Sequence, residues 1–375
     1  MKALKANVLY DGESIEREVY VGFNERIEYV GKEKPDADII GEGVVTPAFI
    51  DGHSHIGMVR SGEPSAEEES NEHMDPVLPM LRAIDSVYMD DAAFRESVEN
   101  GILYSTVLPG SGNILGGMGQ LIRNFSTNVK DAYVKDIGIK VAFGYNPRST
   151  VEWKGDRPYT RMGSLAILRE RLIKAKKIKA ILQNGKKTID EIDPGDEIFL
   201  DILDRKYKLM AHTHKVDDAY VLMDIARAFG IRVILNHGMD ISDGKVLKDL
   251  STQGIPLIYG PMDSLPYKVE LKHESWRNAK TVMDSGIKFG MMSDHPVILQ
   301  RNIFLTMRHF LRFGMSKEEA ISHLTSRTAE IIEAENIGRV KKGYNASIVL
   351  WNKDPFDLES HPVTVIGEGN TVFSE

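Results

Sequence analysis

Two histidines, His53 and His55, end an apolar stretch that begins at Val44. Residues two apart in an extended strand point to the same face, so both imidazoles can reach one point in space. Two nitrogen ligands at the rigid end of a strand form half of a transition-metal site. The alternative is a pair of surface histidines in a turn, and motifs later in the chain argue against it.

Further side chains able to bind a metal follow strand-like apolar runs at His212, His214, His237 and Asp294. His212 and His237 are 25 residues apart, about the length of one strand and one helix. Because barrel enzymes keep their active sites at the C-terminal ends of the strands, these side chains are expected to converge there. His212 lies nearer its strand and is the preferred ligand, while His214 would replace it, assist it or contact the substrate.

Lys140 and Asp294 each allow two interpretations. Lys140 stands in an apolar run, where an unpaired buried charge is unfavourable. Carboxylation by carbon dioxide would turn its amine into an anionic oxygen ligand able to bridge two metal ions. The alternative is a lysine at the strand base whose amine reaches water. Asp294 is either a metal ligand or only a helix cap before Pro296.

The two ends of the chain are rich in strand-like sequence, and the middle alternates strands with helices. Runs typical of strands recur in the middle at residues 101–108, 138–144, 207–212, 231–236, 255–260 and 287–293. Helical spacing of apolar residues is found at 164–182, 217–229 and 316–334.

This alternation predicts a parallel sheet, closed at this length into a TIM-like (β/α)8 barrel over residues 46–335. Residues 1–45 and 336–375 are predicted to join in one small β-sandwich, because the termini of a domain often lie close together. With the strand before His53, the runs give seven barrel strands. The eighth is expected within residues 111–137 or 145–206.

Composition narrows the class of protein. The 375 residues include no cysteine, which excludes disulfides, thiolate metal sites and a cysteine nucleophile. The net charge of −8 argues against nucleic acid as a partner. No apolar run reaches the roughly 18 residues of a membrane-spanning helix. We expect a soluble cytoplasmic protein with a small-molecule substrate, forming a homo-oligomer and binding neither nucleic acid nor a membrane.

The stretch from Pro47 to His55 resembles the first-strand motif of the amidohydrolase superfamily. Residues 138–141 are similar to the fourth-strand segment that carries a carboxylated lysine in hydantoinases. Residues 338–351 are similar to a segment of the accessory β-sandwich, although Ser347 stands where that segment usually has aspartate. Residues 71–76 and 158–163 resemble a branch related to imidazolonepropionase.

The resemblance implies a metal-dependent hydrolase with His212 and His237 on the fifth and sixth barrel strands and Asp294 on the eighth. One or two divalent ions are expected, zinc being the expected metal. A bound water would reach a pKa of about 7, and Asp294 would shuttle its proton to the leaving nitrogen. The residues implied as metal ligands are His53, His55, His212 or His237, and Asp294, with Lys140 added if it is carboxylated. Asp294 and His237 are the expected catalytic residues.

Substrate contacts are expected from His295, His214, Tyr145, Arg148 and Arg161. Either arginine would clamp a substrate carboxylate, unless it only forms a surface salt bridge. Cleavage of an amide or cyclic-amide C–N bond, other than an ordinary peptide bond, is the expected reaction. A prolidase-like dipeptidase, a deaminase and an inactive scaffold remain as alternatives.

Overall fold

The computed structural model describes residues 1–149 and 157–375, which form two β-sheets and the helices packed around one of them. The strands are β1 (Lys2–Tyr10), β2 (Ile15–Phe23), β3 (Ile27–Gly31), β4 (Asp38–Pro47), β5 (Phe49–Ser54), β6 (Ile102–Val107), β7 (Leu115–Arg123), β8 (Tyr133–Ala142), β9 (Leu209–Thr213), β10 (Val233–His237), β11 (Leu257–Tyr259), β12 (Phe289–Met291), β13 (Ile348–Trp351), β14 (Pro362–Gly367) and β15 (Asn370–Ser374).

The α-helices are α1 (Ala92–Glu99), α2 (Val129–Ala132), α3 (Asn146–Ser149), α4 (Arg161–Gln183), α5 (Pro194–Leu203), α6 (Val216–Phe229), α7 (Gly244–Thr252), α8 (Asn278–Ser285), α9 (Arg308–Arg312), α10 (Lys317–Leu324) and α11 (Ser326–Ile332). Short 3-10 helices lie at Ser65–Glu67, Ala83–Ser86, Ile189–Glu191, Val269–Leu271 and Gln300–Met307. None of the helices in the described ranges is long and apolar enough to cross a membrane.

Eight strands, β5 to β12, form the barrel sheet in chain order. The first and last strands meet at their tips, where the backbone N–H of His55 donates to His295 O (3.0 Å) and that of Asp294 donates to His53 O (3.0 Å). Gly52 permits this approach, since a Cβ added there would lie 2.9 Å from Met291 O. The predicted TIM-like barrel is confirmed.

The eighth strand of the prediction is β7, which lies inside the interval 111–137. It pairs antiparallel with both β6 and β8, so the expectation of an entirely parallel barrel is wrong. The cause is the connection from β6, which is a tight turn over residues 108–114 rather than a helix. A short turn can join only antiparallel neighbours. The turn therefore lies at the same end of the barrel as the tips of the parallel strands.

A buried polar network lies just below the junction of β5 and β12. The carboxylate of Asp51 accepts hydrogen bonds from the backbone N–H of Ser293 (3.0 Å), from the Ser293 hydroxyl and from Gln300 Nε2 (2.7 Å). Gln300 Nε2 also contacts Ser105 Oγ on β6 at 2.9 Å. Because each of these polar groups has partners, the network ties three strands together without an unsatisfied buried charge.

The strands of the two chain ends form one seven-stranded sheet in the order β15-β14-β13-β4-β1-β2-β3. Its buried cluster includes Leu4, Val21, Phe23, Ile348 and Ile366. The predicted union of the two ends is therefore confirmed, while domain boundaries at residues 45 and 336 stay a prediction.

Two of the predicted helices match single elements, and the third is divided. Residues 164–182 lie in α4 and 217–229 in α6, which ends at Gly230 in the left-handed conformation (φ 67°). Residues 316–334 contain both α10 and α11, because Thr325 leaves helical geometry between them (φ −132°, ψ −97°). The pair α4 and α5 lies in the long stretch between β8 and β9.

Candidate metal centre

Three metal-binding side chains meet where β5 and β12 join. Oδ1 of Asp294 lies 3.2 Å from Nε2 of His55 and 3.4 Å from Nε2 of His53. His53 is completely buried, and the side chains of His55 and Asp294 are only 11% and 14% exposed. The three therefore form a compact group that could hold a metal ion.

A second group comes from the tips of β9 and β10. His212, His214 and His237 offer ring nitrogens that all lie within 4.8 Å of one another. The two groups adjoin, because the ring centres of His53 and His237 are 5.0 Å apart. The predicted convergence of His53, His55, His212, His237 and Asp294 is thus what the structure has. His214, predicted as a substrate contact or a substitute ligand, lies inside the second group.

Lys140 lies between the strands that carry these groups. Its Nζ is 3.2 Å from Nε2 of His53 and 2.9 Å from the carbonyl oxygen of Pro109, and the residue is completely buried. The alternative of an amine that reaches water is therefore wrong. Burial lowers the pKa of Lys140 to about 7. A buried neutral amine is the form that combines with carbon dioxide.

Three of these side chains form hydrogen bonds with the turn between β6 and β7. Leu108 O lies 2.7 Å from Nδ1 of His55, Pro109 O accepts from Lys140, and Ser111 Oγ lies 2.8 Å from Nδ1 of His212. Partners of this kind fix the tautomer and orientation of metal-binding histidines.

The tautomers leave lone pairs directed at one another. Nδ1 of His55 donates to a carbonyl, as does Nδ1 of His237, which lies 3.0 Å from Gly260 O. Nε2 of each ring is then an acceptor. Nε2 of His55 therefore faces the Asp294 carboxylate, also an acceptor, at 3.2 Å. In the neutral form of His55 these are two buried acceptors, which repel at this distance unless a metal ion or a proton lies between them.

The donor set fits a divalent ion. Among the described residues, Nε2 of His212, Nε2 of His237 and Nδ1 of His214 are buried without a hydrogen-bond partner. Tetrahedral zinc with ligands at about 2.0–2.1 Å places neighbouring ligand atoms about 3.3–3.4 Å apart. The contacts of Asp294 with His53 and His55 have this spacing. Nitrogen and carboxylate ligands of this kind suit zinc and neighbouring transition metals.

Electrostatics keep these side chains in forms that are able to bind a metal ion. Burial, followed by neighbouring cationic groups, holds the pKa values of His53, His212 and His237 well below the ordinary range, so these rings are neutral at pH 7. Burial also lowers the pKa of His214 to about 4. Burial alone would raise the pKa of Asp294, but in acid, where the neighbouring His237, His55 and Lys140 become protonated, their positive charge holds the pKa of Asp294 well below its usual value. Ligands in these states need not release a proton when a metal binds.

Backbone strain marks two of the same residues. His237 and Asp294 have positive φ angles of 79° and 52°, which non-glycine residues rarely adopt. Both stand at the tip of a barrel strand, where the chain must turn sharply while its side chain stays directed inward. Strain of this type concentrates at functional sites.

The residues predicted to contact the substrate differ in their exposure and in their partners within the chain. Tyr145 is 40% exposed in the loop after β8, and Nε of Arg148 donates to Gly144 O (2.9 Å). Nε of Arg161 donates to the buried Asp218 (2.8 Å), so this arginine has a carboxylate partner within the chain. His295 is buried, and its Nδ1 accepts from the backbone N–H of Gln300 (3.2 Å). Burial lowers its pKa to about 4.

Asn236, Lys268 and Glu270 also lie at the site and were not predicted from the sequence. Asn236 directly precedes a ligand at a strand tip, and its amide Nδ2 lies 2.9 Å from Nδ1 of His53. Its position next to His237 was a usable signal. Lys268 and Glu270 lie in the loop after β11, where the polar sequence resembles that of any surface loop. No periodic pattern could have shown that Glu270 is 3% exposed.

A separate cavity of about 750 Å³ lies at the opposite ends of the strands, lined by residues that include Lys208, Arg232, Lys288 and Glu333. If volume were the only criterion, this cavity would be taken as the functional site. Lone pairs, strain and convergent ligands instead point to the tips of the strands, which is the end where barrel enzymes carry out catalysis.

The family model described as the amidohydrolase family matches residues 200–372. The crystal structure of an amidohydrolase from Thermotoga maritima MSB8 is 30% identical, with complete coverage of both chains and a TM-score of 0.93. The amidohydrolase tasK of Hapsidospora irregularis is 24% identical over an alignment of 357 residues, which covers 88% of this chain. The chain spans only 36% of the length of that curated relative.

A prolidase complexed with N-methylphosphonate-L-proline shares the fold, with a TM-score of 0.64 and full coverage of both chains. Its sequence identity is 15%, so the likeness extends to the fold alone. The predicted relation to imidazolonepropionase stays a prediction.

Proposed function

Because the chain belongs to the amidohydrolase family, we propose that it is a divalent-metal-dependent hydrolase that cleaves an amide-type C–N bond of a small molecule. One observation carries the proposal. Two adjoining groups of metal-binding side chains meet at the tips of the barrel strands, with unshared electron pairs directed at one another. Such an arrangement is unfavourable in a buried site unless it binds a cation.

One ion would be held at the tip of β5 by His53, His55 and Asp294. A second ion would be held at the tips of β9 and β10 by His212, His214 and His237. A bound divalent ion supplies a water nucleophile at neutral pH and polarises the scissile carbonyl. Lys140 lies beside His53 and, once carboxylated, would contribute an oxygen ligand. Zinc is the metal that we propose first, since nitrogen ligands dominate the set.

Asp294 is the group proposed to move the proton. Its low pKa keeps it ionised, so it can accept a proton from the attacking water. Its Oδ1, close to both His53 and His55, is held by the turn of the backbone at the strand tip. Asp294 then returns the proton to the leaving nitrogen. His237 would contribute its Nε2 as a ligand of the same centre, with its Nδ1 held by Gly260 O.

The experiment is a product analysis with the chain purified without chelator and its metal content measured. The panel contains N-acyl amino acids, cyclic amides and imides, dipeptides with C-terminal proline, and aminopurines. Metal-dependent release of an acid and an amine is the expected result. Fewer than about 0.2 ions per chain after reconstitution, together with no turnover on any class, would overturn the proposal and favour the inactive scaffold.

The products also separate the alternatives within the family. A deaminase releases ammonia, and a prolidase-like dipeptidase releases two amino acids. We expect no release of ammonia from this chain. Dipeptides are kept as candidate substrates because the prolidase shares the fold. A cytoplasmic location and a homo-oligomeric state are further proposals, which fractionation of cells and light scattering would test.

A further inference from the structure

The loop after β11 is largely exposed, yet it directs one carboxylate inward. Tyr267 and Val269 are 64% and 76% exposed, whereas Glu270, on the 3-10 helix Val269–Leu271, is 3% exposed. A glutamate is rarely buried unless it has a charged or metal partner. The partners of its two oxygens therefore indicate what it is for.

Oε2 of Glu270 is fixed by the backbone after β8. It accepts a hydrogen bond from the N–H of Tyr145 (2.8 Å). Gly144 has a φ of 82°, and a Cβ added there would lie 2.5 Å from Oε2. The chain therefore passes against the carboxylate where only glycine fits, and this contact sets the direction of the other oxygen.

Oε1 of Glu270 faces the metal-binding side chains. It lies 3.5 Å from Nε2 of His212, a buried ring nitrogen without a hydrogen-bond partner. Ser111 Oγ can accept a hydrogen bond from Nδ1 of His212, and in that tautomer the Nε2 lone pair is directed toward Oε1. Two acceptors then face each other, at a separation close to that of neighbouring ligands around one ion.

Lys268 offers the alternative account. Its side chain is 9% exposed, and its Nζ also lies 3.5 Å from Oε1 of Glu270. If Glu270 served only as the partner of this ammonium group, the pair would hold the loop in place and take no part in metal binding. The two accounts predict opposite effects on the metal when Lys268 is changed, which makes them separable.

We propose that Glu270 is an oxygen ligand, through Oε1, of the ion held by His212, His214 and His237. This assignment rests on the proposed metal-dependent function. Lys268 then offsets part of the negative charge of Glu270 and weakens, rather than supports, the binding of the cation. The site thereby gains a carboxylate from the loop after β11, in addition to the ligands at the strand tips.

The test uses the full chain, freed of metal with a chelator and titrated with Co²⁺ in competition with a chelating dye. Visible absorption of the bound Co²⁺ reports its coordination number and ligands. Glu270→Gln should weaken the binding of one ion by at least about tenfold and change this spectrum. Lys268→Met should leave the affinity unchanged or raise it. Glu274→Gln, in the same loop, is the matched control and should behave as wild type.

Glu270→Gln with the affinity and spectrum of wild type would overturn the inference, and so would an equal loss in Lys268→Met. If Glu270→Gln does not fold, Glu270→Asp is informative, because it keeps the charge but withdraws the oxygen by about one bond length. It should also lose affinity and change the spectrum. A wild-type chain that binds no Co²⁺ would instead contradict the proposed function itself, so the two failures are distinguishable.

Discussion

Nζ of Lys140 lies 3.2 Å from Nε2 of His53, and both residues are completely buried. An ammonium group in this position would repel a metal ion at the same imidazole. Burial lowers the pKa of Lys140 to about 7, which makes the neutral amine accessible at neutral pH. Its lone pair can attack carbon dioxide, and loss of one proton from nitrogen leaves a carbamate anion. Carboxylation would thus convert the contact from repulsive to metal-binding.

Lys140→Met should therefore remove a metal ligand. We expect the variant to bind about one ion fewer and to lose at least about 100-fold in turnover. Elemental analysis measures the first effect. After incubation with ¹³C-bicarbonate, wild type should show a carbamate carbon signal by NMR that the variant lacks.

Lys208→Met provides the control for this experiment. Lys208 is also a buried lysine whose pKa is lowered, to about 8, by burial, but it lies at the opposite end of the barrel. Its variant should keep the metal content of wild type. A Lys140→Met chain with normal metal content and normal turnover would exclude Lys140 from the centre.

Asp294→Asn should retain bound metal but lose about 10²–10⁴-fold in turnover, because an amide cannot take the proton from water. The measurement is turnover on the substrate found by the product panel, alongside the metal content. Asp284→Asn, which alters an exposed carboxylate on α8, should leave both unchanged. Retained activity in Asp294→Asn would assign the proton transfer to another group.

Asn236 should act by setting the tautomer of His53. A metal ligand at Nε2 of His53 needs a proton on Nδ1 and an acceptor facing it. Oδ1 of Asn236 is buried without a partner, and a half-turn of the amide would bring it to Nδ1. Asn236→Leu should therefore weaken metal binding about 10–100-fold, whereas Asn236→Asp should restore it. Equal affinity in Asn236→Leu and wild type would remove this positioning role.

His323 should make the folded state less stable in acid. Its ring stacks on Phe289, and burial together with Arg327 lowers its pKa to about 3. Above about pH 6.5 neither the folded nor the unfolded state protonates it. Between about 6.5 and 3 only the unfolded state binds the proton, so the free energy of unfolding falls as the pH falls. The largest slope from one such group is about 1.4 kcal/mol per pH unit.

Urea unfolding of the metal-free chain from pH 7.5 to 4.5 measures this slope. His323→Gln should have a shallower dependence than wild type, because glutamine does not titrate. His361→Gln, at a ring that is 48% exposed, is the comparison and should keep the wild-type slope. Parallel curves for wild type and His323→Gln would show that His323 does not contribute.

The order of the barrel strands was predictable because buried parallel strands leave continuous apolar runs. Lys140, His212, His237 and Asp294 fall on or just after the fourth, fifth, sixth and eighth barrel strands, as the resemblance implied. β7 was not identified, since its run of Leu115, glycines and Gln120 reads as a flexible loop. The glycines instead allow close packing, and a Cβ added at Gly117 would lie 2.4 Å from Leu81 O.

The inner ligands were predictable because an imidazole at the end of an apolar run stands where barrel strands present side chains to the active site. Glu270 could not be assigned, since its contact with His212 spans 58 residues of sequence. Asn236 offered one signal, its position next to His237, but its contact with His53 spans 183 residues. His212 was predicted as a ligand, and His214 as a substrate contact or a substitute ligand. Both point into the same group, because the strand ends at Thr213 and the chain turns.

The turn over residues 108–114 has a consequence for how relatives of this chain can diverge. It supports three functional side chains from one short segment, so an insertion there would displace His55, Lys140 and His212 together. The length of this turn is therefore expected to stay constant among relatives, because a change of one residue would move parts of both groups of side chains at once.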